Sequence, residues 1–339
     1  MLKLNGKDYK KMTKDEPKTI LIIDGYHLLH KGFYGSLKRK NVAVNREGTP
    51  INAIYTFIAK INHFVDLNFY HTIIVTFDVG DTCWRRNLYP EYKAKRKETP
   101  PELIPQMQII REFLTSANIP WYEKESFEGD DVIGTISEIA TEIGYKVHIL
   151  SNDKDIFQLV DDQTQVIVEA SKKEKPQYVT SPDVVERVGC LPIQVPDLKS
   201  LMGDSSDNIK GVKSLHYNTV LRLLKKYENI EAIYEHIDEI PSNVAQKLMM
   251  HREQILLNKR IATIQRDLSL GRINFQRLVI NWYGYLNFLK KQKMWAFTAN
   301  PLKHIHEIEE RKKNFVQKKR DKIINKTPLV ATTTLKRKH

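Results

Sequence analysis

Acidic residues lie at the points where the predicted strands of this chain end. Three apolar stretches lead to such acids, namely Asp24, Asp78 and the pair Asp153 and Asp155. Because the carboxyl ends of parallel strands share one crevice, we expect these side chains to converge. Converging carboxylates repel one another unless cations neutralise them, and a site made of oxygen atoms favours Mg²⁺ or Mn²⁺. The pattern therefore predicts a metal-dependent enzyme that acts on phosphates.

Two further acidic motifs strengthen this prediction. Glu128, Asp130 and Asp131 open an amphipathic helix, and Asp204 and Asp207 lie in a polar loop. Taken singly, such acids could serve as helix caps or turn formers. Capping and turn roles do not explain why four separate segments bring acids to one crevice, so a metal site is the better interpretation of the set.

The chain as a whole is basic, although these motifs are acidic. The 339 residues include 54 Lys and Arg against 41 Asp and Glu, a formal net charge of +13. Basic side chains would hold a polyanionic substrate while the acids hold metal ions, although solubility alone could require the same excess. Cys83 and Cys190 are too few for a disulfide framework or a zinc cage. With no signal peptide and no run of about 18 apolar residues, we expect a cytoplasmic protein without membrane contact.

Strands and helices alternate through the first half of the chain. The predicted strands cover residues 20–23, 73–77, 119–123 and 147–150. Such alternation produces βαβ units and a mostly parallel sheet, so the predicted fold class is α/β. After about residue 175 the predicted elements are short helices, at residues 215–227, 230–237 and 244–257. The last stretch is rich in Lys and Arg, which is typical of a solvated segment or a non-specific nucleic-acid arm.

A long polar segment between Asp81 and Pro101 interleaves basic and aromatic residues. These residues are Trp84, Arg85, Arg86, Tyr89, Tyr92, Lys93, Lys95, Arg96 and Lys97. A loop of this length within a compact domain is usually functional, and aromatic residues are not needed for solvation. We therefore expect this basic segment to contact the substrate.

Five motifs in a fixed order give the chain a specific resemblance. They cover residues 22–25, 89–96, 128–135, 151–155 and 201–209. Together they resemble the 5′→3′ exonuclease or flap endonuclease family, which includes the N-terminal nuclease domain of bacterial DNA polymerase I and stand-alone phage 5′ nucleases. The resemblance extends over roughly residues 18–270.

The resemblance implies a division of the chain into domains. It places a PIN-like or resolvase-like α/β catalytic domain at residues 18–180, with a helical arch at about residues 81–105. A small all-α helix-hairpin-helix (SAM-like) domain follows at residues 181–270. A polar arm at residues 1–17 and a basic extension at residues 271–339 would flank these domains.

The resemblance also implies a centre for two Mg²⁺ ions, for which Mn²⁺ would substitute. The acids at its first metal site are Asp24, Asp78, Glu128, Asp130 and Asp131. The acids at its second metal site are Asp153, Asp155, Asp204 and Asp207. Either Asp130 or Asp131 could serve both ions. Two such ions, about 4 Å apart, lower the pKa of a water molecule and offset charge on a phosphodiester.

Basic and aromatic residues receive substrate roles from the same resemblance. Lys93 and Arg96 would act as catalytic residues that grip the scissile phosphate, and Tyr92 would stack on a base. The other residues expected to contact DNA are Arg85, Arg86, Lys199, Lys213, Arg222, Lys225 and Lys226.

The hairpin of the helical domain departs from the family pattern. Ser214 and His216 replace glycines, and Asn218 replaces a lysine. Glycines at such positions let backbone N–H groups approach duplex phosphates, and the family's loop also holds a monovalent cation. The sequence therefore leaves open whether this hairpin binds duplex DNA or K⁺.

The expected function is a structure-specific 5′ nuclease that removes 5′ flaps or primers in DNA replication or repair. We expect it to be a monomer in a bacterial cell or in the host of a bacterial virus. Its expected substrates are 5′ flaps, nicked or gapped duplexes, free 5′ ends and RNA–DNA hybrids. The alternative is a degenerate, non-catalytic DNA-binding protein, which the intact acids disfavour. A haloacid-dehalogenase-type phosphatase is excluded because Tyr26 stands where that chemistry needs a second acid.

Overall fold

A six-stranded sheet forms the centre of the first domain. The computed structural model describes residues 18–36, 43–45, 48–80, 83–169 and 176–324, so the predicted arm at residues 1–17 lies outside the described residues. The strands are β1 (Thr19–Asp24), β2 (Thr72–Thr76), β3 (Trp121–Tyr122), β4 (Lys146–Leu150), β5 (Thr164–Val168) and β6 (Gln177–Val179). Their order is β3-β2-β1-β4-β5-β6, and every neighbouring pair is parallel except β5 with β6. The predicted mostly parallel sheet is confirmed, although β5 and β6 were not predicted.

Helices cover both faces of this sheet. They are α1 (Gly25–Ser36), α2 (Asn52–Leu67), α3 (Trp84–Leu88), α4 (Ile104–Ser116) and α5 (Gly129–Glu142). The central strand β1 is buried along its whole length, and its side chains alternate between two apolar layers. Ile20 and Ile22 pack in the layer that contains α5, whereas Leu21 and Ile23 pack with α1, α2 and α4. A strand buried on both faces has one register, so β1 fixes the position of Asp24 at its carboxyl end.

The second domain is helical apart from one short β-hairpin, which precedes the loop that contains Ser214 and His216. Its helices are α6 (Ser181–Val188), α7 (Val195–Met202), α8 (Tyr217–Tyr227), α9 (Ile230–Glu235), α10 (Ser242–Met250) and α11 (Arg252–Ala262). Strands β7 (Gly203–Asp204) and β8 (Ile209–Lys210) form the hairpin. The predicted single helix at residues 244–257 is two helices, because the chain leaves helical geometry at His251. A Cβ on Gly211 would lie 2.1 Å from the Met202 carbonyl oxygen, so this close approach requires glycine.

The residues after the second domain return to the sheet. Two helices, α12 (Trp282–Lys291) and α13 (Ala299–Ile324), pack on one another. Leu278 donates its N–H to the His71 carbonyl oxygen (2.8 Å), at the amino end of β2. Tyr285 is 1 % exposed and packs against Phe113. The predicted basic extension therefore begins as a folded part of the first domain, on the side away from the carboxyl ends of the strands; residues 325–339 lie outside the described residues. In the part of the chain that the structure describes, no helix has the length and apolar character needed to cross a membrane.

Candidate active site

Besides Glu98 in the basic segment, five carboxylates from four segments line one cavity of about 310 Å³. They are Asp24, Asp78, Glu128, Asp130 and Asp153, called here the first acidic group. Asp24 ends β1, and Asp78 follows the neighbouring strand β2, so the parallel register brings the two acids to one edge of the sheet. Gly129 at the start of α5 donates its N–H to Asp78 Oδ1 (2.7 Å), which holds the helix end against that edge. The convergence expected from the sequence is thus observed for these residues.

Burial and neighbouring carboxylates raise the pKa of three acids in the first acidic group, whereas Lys93 and Arg85 lower that of Glu128 against its burial. The pKa of Asp24 is raised to about 7, first by burial and then by Asp78 and Asp153, against hydrogen bonds from His27 and Ser151. Burial, followed by the charges of Asp153 and Asp24, raises the pKa of Asp130. Burial also raises the pKa of Asp78. This concentration of buried negative charge on oxygen ligands fits a hard divalent cation.

Three more carboxylates form a second acidic group beside the first. Oxygen atoms of Asp155, Asp204 and Asp207 lie within 4.8 Å of one another. Asp153 was predicted for this group but lines the first cavity, where it acts on the pKa of Asp24 and also on that of Asp155. It therefore lies between the two groups.

Lys199 contributes a positive charge to the second acidic group. Its Nζ forms an ion pair with Asp155 and lies 2.5 Å from Asp204 Oδ2. The pKa of Asp204 is lowered to about 2, because Lys199 and Ser206 outweigh the effect of burial. The pKa of Asp155 is raised to about 6 by burial, against the charge of Lys199. Lys199 thus contacts acids in this structure, and its expected phosphate contact stays a prediction.

Asp131 was predicted as a metal ligand, and the structure contradicts this. The side chain is fully buried, and its two oxygens accept hydrogen bonds from both terminal nitrogens of Arg85, at 2.6 and 2.7 Å. Arg85 is 3 % exposed, so it is also not the DNA contact predicted from its place in the basic segment. The neighbouring Arg86 is partly exposed and remains a candidate for DNA contact.

The predicted helical arch is a short helix followed by turns. Only α3 is helical in the described part of residues 81–105 before α4 begins at Ile104, and Lys93 has a φ of 56°. Tyr92 is 3 % exposed and donates its O–H to Glu128 Oε2 (2.9 Å) and Asp207 Oδ2 (3.3 Å). A ring buried in this way has no free face for a base, so the predicted stacking role of Tyr92 is wrong for this conformation.

Lys93 and Arg96 line the first cavity together with the acids, and their contact with a phosphate stays a prediction. Lys93 Nζ lies 2.5 Å from Glu128 Oε1. Burial alone would lower the pKa of Lys93, but Glu128 and Asp207 raise it above its usual value. Burial would also lower the pKa of Arg96, but the charge of Asp207 helps to raise it above its usual value. Both side chains are therefore fixed cations at the cavity wall.

Sequence reasoning missed the wall that α1 contributes to the cavity. Tyr26, His27, His30 and Tyr34 all line it, and the rings of Tyr26 and His30 lie 4.2 Å apart. Burial, Arg96 and His27 together lower the pKa of His30 to about 4. The helical spacing of these residues directly after Asp24 is a signal that could have identified them.

The predicted DNA contacts of the helical domain lie on its surface. Lys213 precedes α8, and Arg222, Lys225 and Lys226 project from that helix as exposed side chains. Lys226 also forms an ion pair with Glu239 (3.0 Å). Their contact with DNA stays a prediction.

The sheet, the acid-lined cavity and the helical second domain define a resolvase-like nuclease fold. The family described as 5′-3′ exonuclease, N-terminal resolvase-like domain, matches residues 19–189. The family described as 5′-3′ exonuclease, C-terminal SAM fold, matches residues 190–281. The chain belongs to the 5′-3′ exonuclease family, and the predicted family and fold class are confirmed.

Similar proteins include the bacterial DNA polymerases I. That of Bacillus subtilis (strain 168) is 36 % identical over 253 residues, which are 74 % of this chain and 28 % of the polymerase. That of Streptococcus pneumoniae (strain ATCC BAA-255 / R6) is 38 % identical over 252 residues, with the same shares of 74 % and 28 %. The chain thus spans less than a third of the curated relatives that it matches.

Solved structures show the same fold. The 5′-exonuclease of T5 with bound zinc is 21 % identical, with a TM-score of 0.60 over 72 % of this chain and 89 % of that chain. The bacteriophage T5 D15 flap endonuclease, in a complex with DNA and metal ions, is 19 % identical, with a TM-score of 0.60 over 84 % of this chain and 98 % of that chain.

Proposed function

We propose that the chain is a structure-specific 5′ nuclease that hydrolyses DNA phosphodiesters with two metal ions. The observation that carries this proposal is the pair of adjacent acidic groups, one of which shares a cavity with Lys93 and Arg96. Carboxylates alone would repel a phosphate, and basic residues alone would bind it without reaction. Acids that hold cations beside fixed basic side chains suit a phosphate that is both bound and cleaved.

Mg²⁺ fits the site, with Mn²⁺ as its substitute, because the donors are carboxylate oxygens. Asp24, Asp78, Glu128, Asp130 and Asp153 would hold one ion. Asp155, Asp204 and Asp207 would hold the other. Such ions supply a water molecule of lowered pKa and offset negative charge on the phosphodiester.

The basic side chains position the phosphate. Lys93 contacts only one carboxylate, Glu128, among the described residues, and it lies beside Arg96 at the cavity wall. With Glu128 engaged as a ligand, the ammonium of Lys93 would be available to a phosphate oxygen. The rings of Tyr26, His27, His30 and Tyr34 on α1 form another part of the cavity wall.

Duplex DNA would bind to the surface of the helical domain. Ser214 has a φ of 59°, in the left-handed region that glycine adopts most easily. Lys213, Arg222, Lys225 and Lys226 supply exposed positive charge around this turn. Counterion release would then make duplex affinity depend steeply on salt.

We expect duplex affinity to be the same in K⁺ and in Na⁺ at equal ionic strength. Lys247 Nζ donates to the Ser214 carbonyl oxygen (2.8 Å). An ammonium group therefore already contacts one backbone oxygen of the loop before α8, where the family's hairpin holds a monovalent cation. Fluorescence anisotropy of a labelled duplex in the two salts measures this. Markedly tighter binding in K⁺ would show that the hairpin holds that ion despite Lys247.

The proposed substrates are 5′ flaps, nicked or gapped duplexes, free 5′ ends and RNA–DNA hybrids, met by a cytoplasmic monomer during replication or repair. Incubation with a labelled 5′-flap duplex and Mg²⁺, followed by mapping of the products, tests this function. Cleavage near the flap junction that EDTA abolishes is the expected result. Tight binding without any cleavage would support the alternative, a non-catalytic DNA-binding protein.

A further inference from the structure

The guanidinium of Arg85 joins three segments of the chain. Its Nη1 and Nη2 donate to Asp131, and Nη1 also lies 3.0 Å from Glu128 Oε2. Nε donates to the Ile261 carbonyl oxygen (2.7 Å) and Nη2 to that of Thr263 (3.1 Å). These contacts use all five N–H donors of an arginine. Arg85 therefore connects α3, the first turn of α5 and the segment that leaves α11.

Asp131 is saturated by donors from the same three segments. Besides Arg85, its Oδ1 accepts the N–H of Gln265 (2.9 Å). Its Oδ2 accepts Nε1–H of Trp84 (3.1 Å) and the N–H of Glu128 (3.3 Å). A carboxylate offers about four lone-pair sites, so five donors leave none for a metal ion.

The segment after α11 is packed closely along α5. A Cβ on Gly134 would lie 2.6 Å from Ile264 Cγ2 and 2.9 Å from the Gln265 carbonyl oxygen. Leu268 donates its N–H to Thr135 Oγ1 (3.2 Å). The helix that begins with Glu128 and Asp130 is therefore attached to the end of the helical domain along more than one turn.

We propose that Arg85 and Asp131 are a positioning pair that holds Glu128 and the first turn of α5 in the geometry that binds metal. The inference rests on the proposed function, because it assigns Glu128 to the metal centre. Asp131 lies closer to the terminal nitrogens of Arg85 (2.6 and 2.7 Å) than Glu128 does (3.0 Å), so it is the main counterion of Arg85. Without it, the only carboxylate within reach of Arg85 in the described structure is Glu128, and the guanidinium would compete with a cation for that ligand.

Asp131→Asn tests the pair with a readout that does not depend on cleavage. We expect Mn²⁺ to bind the DNA-free protein roughly tenfold or more weakly, the usual scale for residues that orient metal ligands, as measured by electron paramagnetic resonance. The Mg²⁺ concentration for half-maximal cleavage should rise in parallel, while the rate at saturating Mg²⁺ changes less. Wild-type Mn²⁺ affinity in this variant would overturn the proposal.

Asp197→Asn is the matched control. Asp197 is also a buried acid (3 % exposed), and its Oδ1 lies 2.7 Å from Lys259 Nζ, which ties α11 to α7. This pair does not contact the acidic groups. The control should lower the melting temperature and leave Mn²⁺ affinity unchanged. An equal loss of Mn²⁺ affinity in the control would show that any loosening of the helical domain disturbs the site, and that Arg85 and Asp131 have no special role.

A double variant separates positioning from stability. Replacing a buried ion pair by apolar residues often preserves stability, so Arg85→Met with Asp131→Leu should recover the melting temperature lost in Asp131→Asn. Its Mn²⁺ affinity should stay weak, because Arg85 then no longer holds Glu128 and no carboxylate at position 131 accepts the N–H of Glu128. Recovery of both properties would reduce the pair to a structural role. If Mn²⁺ binding follows this pattern but the wild-type protein cleaves no DNA, the proposed function is wrong and the positioning role of Arg85 and Asp131 is retained.

Discussion

Each acidic group carries one lysine, and the two lysines are held in different ways. Lys93 reaches the first group from the basic segment and contacts one carboxylate, Glu128. Lys199 projects from α7 and contacts two carboxylates of the second group, Asp155 and Asp204. In the second group Lys199 therefore forms ion pairs with two of the three acids, whereas in the first group, among the described residues, ion pairs reach only Glu128.

The pKa values of the acids record this difference. Burial and mutual repulsion raise the pKa of Asp24 to about 7 and also raise that of Asp130. Lys199 helps to lower the pKa of Asp204 to about 2 despite its burial. A cation that enters the first group competes with protons. One that enters the second group competes with the ammonium of Lys199 and also with protons, because burial raises the pKa of Asp155 to about 6 and raises that of Asp207. The two ions should consequently differ in affinity and in pH dependence.

The largest effect is expected from Asp130→Asn in the first group. This change removes one ligand charge from a site that faces phosphate, so cleavage should fall by roughly 10³-fold while flap binding is kept or tightened. Single-turnover cleavage and anisotropy measure the two quantities. Retained cleavage at ordinary Mg²⁺ would disprove the assignment, and circular dichroism controls for loss of folding.

Lys93→Ala should have the next largest effect. Loss of a fixed cation from the reacting phosphate should slow single-turnover hydrolysis by roughly 10²-fold or more. Lys95→Ala is the matched control, since Lys95 lies in the same segment as an exposed side chain. If both variants slow cleavage equally, Lys93 contributes only to the general positive charge of the segment.

Lys199→Met should strengthen the binding of metal ions at the second acidic group. Removal of the ammonium leaves Asp155 and Asp204 without their counterion, so the second group should bind Mn²⁺ roughly tenfold more tightly. Titration of Mn²⁺ by electron paramagnetic resonance separates a tighter second site from an unchanged first site. Weaker binding would mean that Lys199 holds the acids in place and does not compete with the cation.

The sequence predicted the acids more reliably than it predicted the orientation of each side chain. Asp24 and Asp78 follow buried strands, and the register of a parallel sheet brings such residues together. Asp130 and Asp131 look alike in sequence, but successive residues of a helix point about 100° apart. Asp130 therefore faces the cavity, whereas Asp131 faces Arg85.

Long-range contacts explain the errors in the basic segment. The polar composition of residues 81–101 indicated solvent exposure, yet Arg85 is buried against carbonyl oxygens of Ile261 and Thr263, far along the chain. Tyr92 is also buried, and its hydroxyl donates to Glu128 and Asp207. Local composition does not reveal that a distant segment folds over a residue, so these two roles were not predictable from it.

The smallest expected effect is a pH dependence of stability in the metal-free protein. The pKa of Asp24 is about 7 in the folded state and 3.8 in its ordinary state, so the folded protein binds this proton more tightly. Its contribution to stability is fully present below about pH 4 and is lost as the pH rises through about 7. The raised pKa values of Asp78 and Asp130 act in the same direction. Asp204 acts in the opposite direction only below its ordinary pKa of 3.8. His30 and His148, whose pKa values burial lowers to about 4, also act in the opposite direction, up to their ordinary pKa of 6.5. A measurement above about pH 7 avoids all three.

We therefore expect the melting temperature in EDTA to fall by roughly 2 °C or more between about pH 7 and about pH 9. Mg²⁺ should reverse the fall at the upper end, because cations replace the lost protons among the same carboxylates. Asp24→Asn should flatten the slope, since an amide does not titrate in this range. A melting temperature that rises with pH in the wild type would show that the first acidic group is already neutralised by its basic neighbours, and the contrast with the second group would then disappear.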